Sequence, residues 1–371
     1  MGANSKKTVF LGMSGGVDSS VSAILLKEQG YRVVGVYMKN WTKDLPGMKC
    51  PWAEDLADAK RVATKLDLDF LIFDFEKEYK AKVVDYMLSE FKAGRTPNPD
   101  VMCNEEIKFK LFLEESLKRG ADFIATGHYA GSHGGKLLLS KDDNKDQTYF
   151  LYRISKEAVK KTLFPLENLK KPEVKQLAAA HGLSNAYKKE SMGVCFVGDV
   201  GMKDFLREYL DQKPGEIREL ETDQTLGLHD GVIFYTIGQR HGLYVGGGLP
   251  YYVVKKDLKN NILYVSKNLN AKNLWTKTIA LENVFLRDLS DLPADHKIKV
   301  RIRHRAPLIP ATLELEKSPD VAKPKNPSLS ITEPKNSSAK VILNEEVKNP
   351  APGQSVVFYA DNICLGGGIV A

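Results

Sequence analysis

Two short strings carry the residues best suited to chemistry. The first is Gly12-Met13-Ser14-Gly15-Gly16-Val17-Asp18-Ser19-Ser20. Gly15 and Gly16 allow the backbone to curl so that successive amides point into one concavity. A helix beginning near Ser19 adds the positive end of its dipole, so phosphate oxygens can bind without a dedicated lysine. A Walker loop would need Gly-Lys-Ser/Thr, which is missing, and the spacing also fails the Gly-x-Gly-x-x-Gly dinucleotide pattern. The plain alternative is a tight turn ahead of a Ser- or Asp-capped helix. The second string is Asn98-Pro99-Asp100-Val101-Met102-Cys103-Asn104. Cys103 follows a proline-rich turn and precedes a helical run from Glu105, which predicts a place near a helix N-terminus, where the field favours the reactive thiolate. Asp100, three residues earlier, could act as a base or orient a substrate. Cys195, between Gly193 and Gly198, sits in a loop-like stretch where a sulfur carrier could reach two partners. Cys50 and Cys364 read as small core hydrophobes.

The surrounding pattern says what must hold these groups. Thr8–Met13, Arg32–Met38, Phe70–Phe75 and Phe123–Thr126 are β-rich apolar runs, and helical spacing fills the intervals (Ser20–Gln29; Trp52, Leu56, Ala59, Ala63, Leu66). Strands separated by helices this long imply right-handed crossovers and a mostly parallel sheet covered on both faces. Ligands then sit at the carboxyl ends of the strands, where both Gly12–Ser20 and Gly127-His128 fall. After about residue 205 the texture changes to a glycine-rich stretch at 213–250. From about 276 short strands follow, at 297–303, 311–315, 341–343 and 355–359, which predict a terminal β-barrel. The predicted organisation is an α/β catalytic domain over 1–205, a small central domain over 206–275 and a β-barrel over 276–371. Lys317–Ser338, rich in Lys, Pro, Asn and Ser, reads as a solvated insertion.

Composition bounds the class. The 371 residues are 43% hydrophobic and 27% charged, ordinary for a globular chain and enough for two or three domains. With 54 Lys and Arg against 47 Asp and Glu, the net charge is +7, an excess that fits a polyanionic partner without requiring one. No window approaches the ~18–20 apolar residues a membrane helix needs. Lys6-Lys7 leads straight into the first strand, leaving no room for a targeting peptide. Four scattered cysteines make no disulfide framework, so a reducing, cytoplasmic setting is expected. No Cys-x-x-Cys pair suggests structural zinc.

Ser14-Gly-Gly-Val-Asp-Ser resembles the pyrophosphate loop of the ATP pyrophosphatases, which cleave ATP between the α and β phosphates and adenylate a substrate oxygen. Both cysteine strings, Gly127-His128-Tyr129, Lys145-Asp146-Gln147-Thr148-Tyr149-Phe150-Leu151, Thr236-Ile237-Gly238-Gln239-Arg240, and the closing Pro352-Gly353-Gln354-Ser355 and Gly366-Gly367-Gly368 follow in order. Together they resemble the bacterial tRNA-specific 2-thiouridylases over most of the chain. The resemblance implies ATP, with Mg2+, held by Gly12, Met13, Ser14, Gly15, Gly16, Val17, Asp18 and Ser19, with Met38 and Gly127 against the adenosine. It implies Asn98, Pro99 and Asp100 at the target base, and Cys195 carrying a persulfide supplied by a cysteine-desulfurase relay. Cys103 would be its catalytic partner, closing a disulfide with Cys195 or releasing sulfide. His128, Lys145, Asp146, Gln147, Arg303, His304 and Gln354 would touch tRNA. The expected product is 2-thiouridine at the wobble position, in tRNAs with Lys, Glu or Gln type anticodons. In this picture the 317–338 segment is an addition.

Other readings stay open on sequence. A 4-thiouridine synthase would usually carry an RNA-binding domain ahead of the loop, and a lysidine synthetase would not need paired thiols. A silent sulfur-shuttling protein would not need an intact loop. Cys103, Cys195 and Asp100 also have the ligand types for an iron–sulfur cluster.

Overall fold

The computed structural model describes residues 4, 6–44, 50–188, 201–246, 249–268, 274–316 and 337–371. Cys195 with its flanking glycines, and all but the last two residues of the 317–338 segment, lie outside the described residues.

The first domain is built on a five-stranded parallel sheet. Its strands are β1 (Thr8–Gly12), β2 (Arg32–Lys39), β3 (Asp69–Asp74) and β4 (Phe123–Ala125), followed, after a β5 (Gly131–His133) and β6 (Lys136–Leu138) hairpin, by β7 (Thr162–Leu163). The order is β3-β2-β1-β4-β7. β1 is apolar at successive positions because both of its faces are covered. Val9, Leu11 and Met13 join Val21 and Ile24 of helix α1 (Val17–Glu28) and Val174 and Ala178 of the helix Lys171–Ala180. Phe10 faces the other way, into a cluster with Phe73, Val83, Ile107 and Phe112. The chain leaves β1 toward β2 on one side and finds β4 on the other, so the sheet changes direction between β1 and β4. A crevice opens at such a point.

On the Phe10 side runs a continuous helical stretch. It is α-helical over Pro99–Met102, π-helical over Cys103–Leu111, and α-helical again over Phe112–Lys118. Because it leads into β4, it runs antiparallel to the strands and presents its N-terminus at their carboxyl ends. Pro99 occupies the first helical position, where its missing N–H costs nothing.

The central domain is a four-stranded sheet of β8 (Gly215–Glu219), β9 (Thr225–His229), β10 (Tyr252–Asp257) and β11 (Ile262–Ser266), ordered β10-β11-β8-β9. The last domain is a six-stranded barrel of β12 (Trp275–Leu286), β13 (Lys297–Arg301), β14 (Ile309–Leu315), β15 (Ala339–Lys348), β16 (Ser355–Ala360) and β17 (Ile363–Val370). Pairing of β12 with β17 closes it. Sequence periodicity reaches four of these strands and misses β12 and β17. The latter holds Gly366-Gly367-Gly368, where Gly367 packs its backbone against the Tyr152 ring. β6 also pairs with β17 (Ile363 with Leu138, Cys364 with Leu137), so the barrel is hydrogen-bonded directly to the first domain. The buried Arg287 strengthens that joint by donating to the carbonyls of Leu151, Tyr152, Ile154 and Cys364. β14 and β15 pair as far as Leu315 with Ala339, so the chain between them joins two neighbouring strand ends.

Candidate nucleotide and sulfur-transfer site

The glycine loop turns at the carboxyl end of β1. Gly15 adopts φ +77°, and a β-carbon there would lie 2.5 Å from the Asp55 carbonyl oxygen, so only glycine fits. Gly16 is the N-cap of α1, and no side chain caps it, contrary to the plain Ser- or Asp-capped alternative. The Ser19 and Ser20 hydroxyls donate to the Gly16 carbonyl at 3.1 and 2.9 Å, and Ser19 Oγ also accepts from the Ser14 amide at 3.4 Å. These bonds shape the loop and leave the first-turn amides of α1 uncapped, the arrangement an anion uses. Gly127, at the end of β4, lies against this turn. A β-carbon on it would lie 2.7 Å from Ser19 N and 2.9 Å from the Asp18 carbonyl carbon. Met38 covers the base of the loop, its Cε 2.9 Å from where a Gly12 β-carbon would stand. The expected nucleotide residues Gly12 to Ser19, Met38 and Gly127 therefore come together around the carboxyl ends of β1, β2 and β4.

Asn185, Lys171 and Lys188, which sequence reasoning missed, brace this site together with Tyr129. Asn185, buried, donates to the Gly15 carbonyl at 2.8 Å and to Ser20 Oγ at 2.9 Å. The Lys171 ammonium meets the Asp18 carboxylate at 2.6 Å, and the Tyr129 hydroxyl donates to the same carboxylate at 3.0 Å. Lys188 pairs with Asp55 and Asp58. No local pattern marks these residues, because they lie more than a hundred positions from their partners.

The Asn98–Cys103 string enters from the other side. Phe112, the residue directly after the π segment, would lie 3.7 Å from a Gly12 β-carbon, which ties this helix to the foot of the loop. Asn98 is the helix N-cap, and Asp100 lies in the first turn. Burial pushes the Asp100 carboxyl above its ordinary range, opposed by the Lys108 ammonium. Cys103 is 3% exposed and begins the π segment. This amends the expectation for it: Cys103 is the fifth helical residue, past the first turn, where the dipole's field falls off. His128 Nδ1 lies 2.8 Å from Thr126 Oγ1, with its ring 5.7 Å from Phe109. Burial and then Lys108 hold it well below the ordinary histidine range, so it is neutral at pH 7.

The remaining expected residues form a second group, bonded to the first. Gln147 Oε1 accepts from the Tyr129 amide at 2.9 Å, which fixes the turn after His128. Asp146 departs from the expectation of a surface contact. Its carboxylate is buried and accepts from the Ser140 amide, the Thr148 hydroxyl and, at 3.1 Å, Arg301 of β13. It joins two domains, and its charge is spent internally. Arg301 thereby brings Arg303 and His304 beside Lys145. Arg303 is exposed, while the His304 ring lies tilted 4.6 Å from that of Phe150 and is pushed down to about 4 by burial and by Arg305, Arg301 and Lys145. Gln354 turns inward too: its amide donates to the Thr96 carbonyl at 2.7 Å. Thr96 N also donates to Pro352 O, and Thr96 Oγ1 lies 3.2 Å from Thr236 Oγ1 of the central domain. All three domains thus converge just ahead of Asn98. None of Cys50, Cys103 and Cys364 is joined to another of the three. Among the described residues, no group of three His, Cys, Asp or Glu could hold a metal, and no helix is long and apolar enough to cross a membrane.

Family models match in the same order as these domains. One described as the tRNA methyl transferase HUP domain matches residues 7–199, one described as its PRC-barrel domain matches 203–267, and an aminomethyltransferase β-barrel model matches 322–370. The tRNA-specific 2-thiouridylases MnmA of Listeria welshimeri and Listeria innocua are each 44% identical over 99% of this chain and 95% of theirs. That of Bacillus cereus is 42% identical over 98% of this chain and 94% of its own. With that identity along nearly its whole length, the chain belongs to the tRNA-specific 2-thiouridylase family.

Proposed function

We propose that this chain uses ATP to replace the 2-oxygen of the wobble uridine of tRNA with sulfur. The observation that supports the proposal is the pairing of uncapped loop amides suited to phosphates at the end of β1 with a helix that carries Asp100 and Cys103 and packs Phe112 against the root of the same loop.

The chemistry follows from the leaving group. A uracil 2-oxygen cannot depart as oxide. When it attacks the α-phosphorus, the bond to the bridging oxygen breaks, pyrophosphate leaves along the loop amides, and the N3 proton is lost. Asp100 is placed to take that proton, since Asn98 and Pro99 shape the approach to the helix where the base would lie. Magnesium would travel with the phosphates, because the Asp18 carboxylate already accepts from Lys171 and Tyr129. The terminal sulfur of a persulfide on Cys195, loaded by a partner from a cysteine-desulfurase relay, then bonds to C2, and AMP departs with the old oxygen. The Cys103 thiolate attacks Cys195 Sγ. The sulfur–sulfur bond to the base breaks, 2-thiouracil is released, and the two cysteines are left as a disulfide for an external thiol to reduce. Alternatively, Cys103 frees hydrosulfide from the persulfide beforehand and that ion attacks C2. Either route needs both sulfurs in one crevice.

The basic group at Lys145, Arg303 and Arg305 is suited to tRNA phosphates, and the base must leave its stack to reach the site. The test is mass analysis of nucleosides from tRNA incubated with the protein, ATP, magnesium and a sulfur source. Formation of 2-thiouridine with release of AMP is expected. Cys103→Ser and Cys195→Ser should each abolish it while ATP still binds, and thiolation retained by either variant would remove that cysteine from the scheme.

A further inference from the structure

Lys108 stands apart from the other charged side chains of the π segment. Glu105 pairs with Arg153, and Glu106 pairs with both Lys82 and Lys110. Around the phosphate loop, Lys171 is matched to Asp18, and Lys188 to Asp55 and Asp58. Lys108 is half-buried, yet among the described residues it has neither an ion pair nor a hydrogen bond from its ammonium. A cation withdrawn from water without a counter-ion is costly, and the usual reason to keep one is an anion that arrives later.

The π segment decides where this cation stands. Three α-helical steps of about 100° carry the chain from Asp100 to Cys103, and five wider steps of roughly 80° carry it on to Lys108. Asp100, Cys103 and Lys108 then fall within about 60° of one another around the axis, whereas α winding throughout would turn Lys108 roughly 140° away from Cys103. One turn beyond Lys108, Phe112 packs under Gly12 at the root of the phosphate loop. Its neighbour Phe109 meets the ring of His128, at the end of β4. The ammonium is therefore bracketed by Asp100 and Cys103 on its own helix and by the β1 and β4 ends across the crevice. Its influence on both the Asp100 carboxyl and the His128 imidazole agrees with that position.

We propose that Lys108 is a catalytic residue that binds the α-phosphate of the adenylated base and neutralises the charge AMP gains as it leaves. This rests on the function proposed above and adds a residue to it. When the base 2-oxygen bonds to phosphorus, the α-phosphate becomes a diester with one negative charge. When the C2–O bond breaks, the electron pair stays on that oxygen and AMP departs as a monoester approaching two. The bare amides at α1 suit the departing pyrophosphate, and Lys108 serves the phosphate that remains.

The experiment compares wild type with Lys108→Gln, Lys108→Met and Lys108→Arg, measuring 2-thiouridine, tRNA-dependent ATP–pyrophosphate exchange, the KM for ATP and thermal unfolding. For the neutral variants, kcat is expected to fall about a hundredfold or more, the usual scale for one lost electrostatic contact to a developing anion. The KM for ATP should move by less than about threefold, and Lys108→Arg should recover at least about a tenth of wild-type kcat. A folded Lys108→Gln with kcat within about fivefold of wild type overturns the assignment, as does an arginine variant no better than the glutamine one. Loss of 2-thiouridine with exchange largely retained is the expected pattern, because adenylation precedes the departure of AMP, and loss of exchange in step with 2-thiouridine would overturn the assignment by placing Lys108 in the first transfer instead. If the wild type makes no 2-thiouridine under any condition, the functional reading itself falls.

Discussion

Replacing Gly127 with alanine tests the crevice at its tightest point. The added β-carbon would stand 2.7 Å from Ser19 N, 2.9 Å from the Asp18 carbonyl carbon and 3.1 Å from Ser19 Cα. All three are backbone atoms in the first turn of α1, so no side chain can swing aside. That turn cannot easily retreat, because Asn185 holds Gly15 and Ser20 from behind and Lys171 holds Asp18. Restoring ordinary contact requires either the turn or the end of β4 to move by roughly 0.5–1 Å, and overpacking of this kind costs about 1–3 kcal/mol. For a domain of this size each kcal/mol shifts Tm by about 2–4 °C, so a fall of roughly 2–12 °C is expected in a thermal melt. The same displacement pulls the β4 end off the phosphate loop, and misplacement near 1 Å can cost up to ~100-fold in rate. The KM for ATP should rise by at least about tenfold, in pyrophosphate release with tRNA present. Gly246→Ala is the control, since a β-carbon there meets open space. A Gly127→Ala protein with Tm within about 1 °C and KM within about twofold of wild type would refute the close packing of β4 on α1 and the site built from it.

Four further outcomes follow from other contacts. Asp100 must be ionised to accept a proton, and burial raises its folded pKa above the ordinary value of 3.8. The acid limb of kcat should therefore lie above that value and move higher still in Lys108→Met, which removes the opposing cation; a pH–rate profile checks this. The sign for stability is the reverse of an ion-paired carboxylate. The folded state binds the extra proton, so Asp100 lowers stability as pH rises from its unfolded value through the raised one, a window that urea titrations in paired wild type and Asp100→Asn can resolve. Arg287→Met strips donors from the carbonyls of Leu151, Tyr152, Ile154 and Cys364 and should cost about 3 kcal/mol or more in chemical denaturation, because buried acceptors left unmatched lose ~1–3 kcal/mol each. Replacing residues 317–336 with a short turn should leave Tm and thiolation near wild type. The Glu316 amide already donates to Ser338 O at 3.1 Å, so the strand ends are in place for a tight connection.

The phosphate loop was legible because everything it needs is local. An apolar strand, glycines free to turn and a helix start fit into nine residues, and their covalent order alone brings the amides together. The parallel sheet and most of the barrel were legible for the same reason, since alternation and helical spacing report which faces are buried, whereas the helix expected from Glu105 starts at Pro99 and leaves Cys103 past its first turn. Residue types could not report where a side chain turns. Asp146 and Gln354 were expected at a tRNA surface, yet the first is buried against Arg301 and the second reaches back to Thr96, because domains far apart in sequence close over them. Only the folded chain brings Lys171 and Asn185 to the loop, 153 and 170 positions from Asp18 and Gly15. Only the π winding turns Lys108 toward Asp100, since a backbone register shift of this kind leaves no periodicity to read beforehand. Local order made the ligand-binding loop, and long-range packing decided which charges face it.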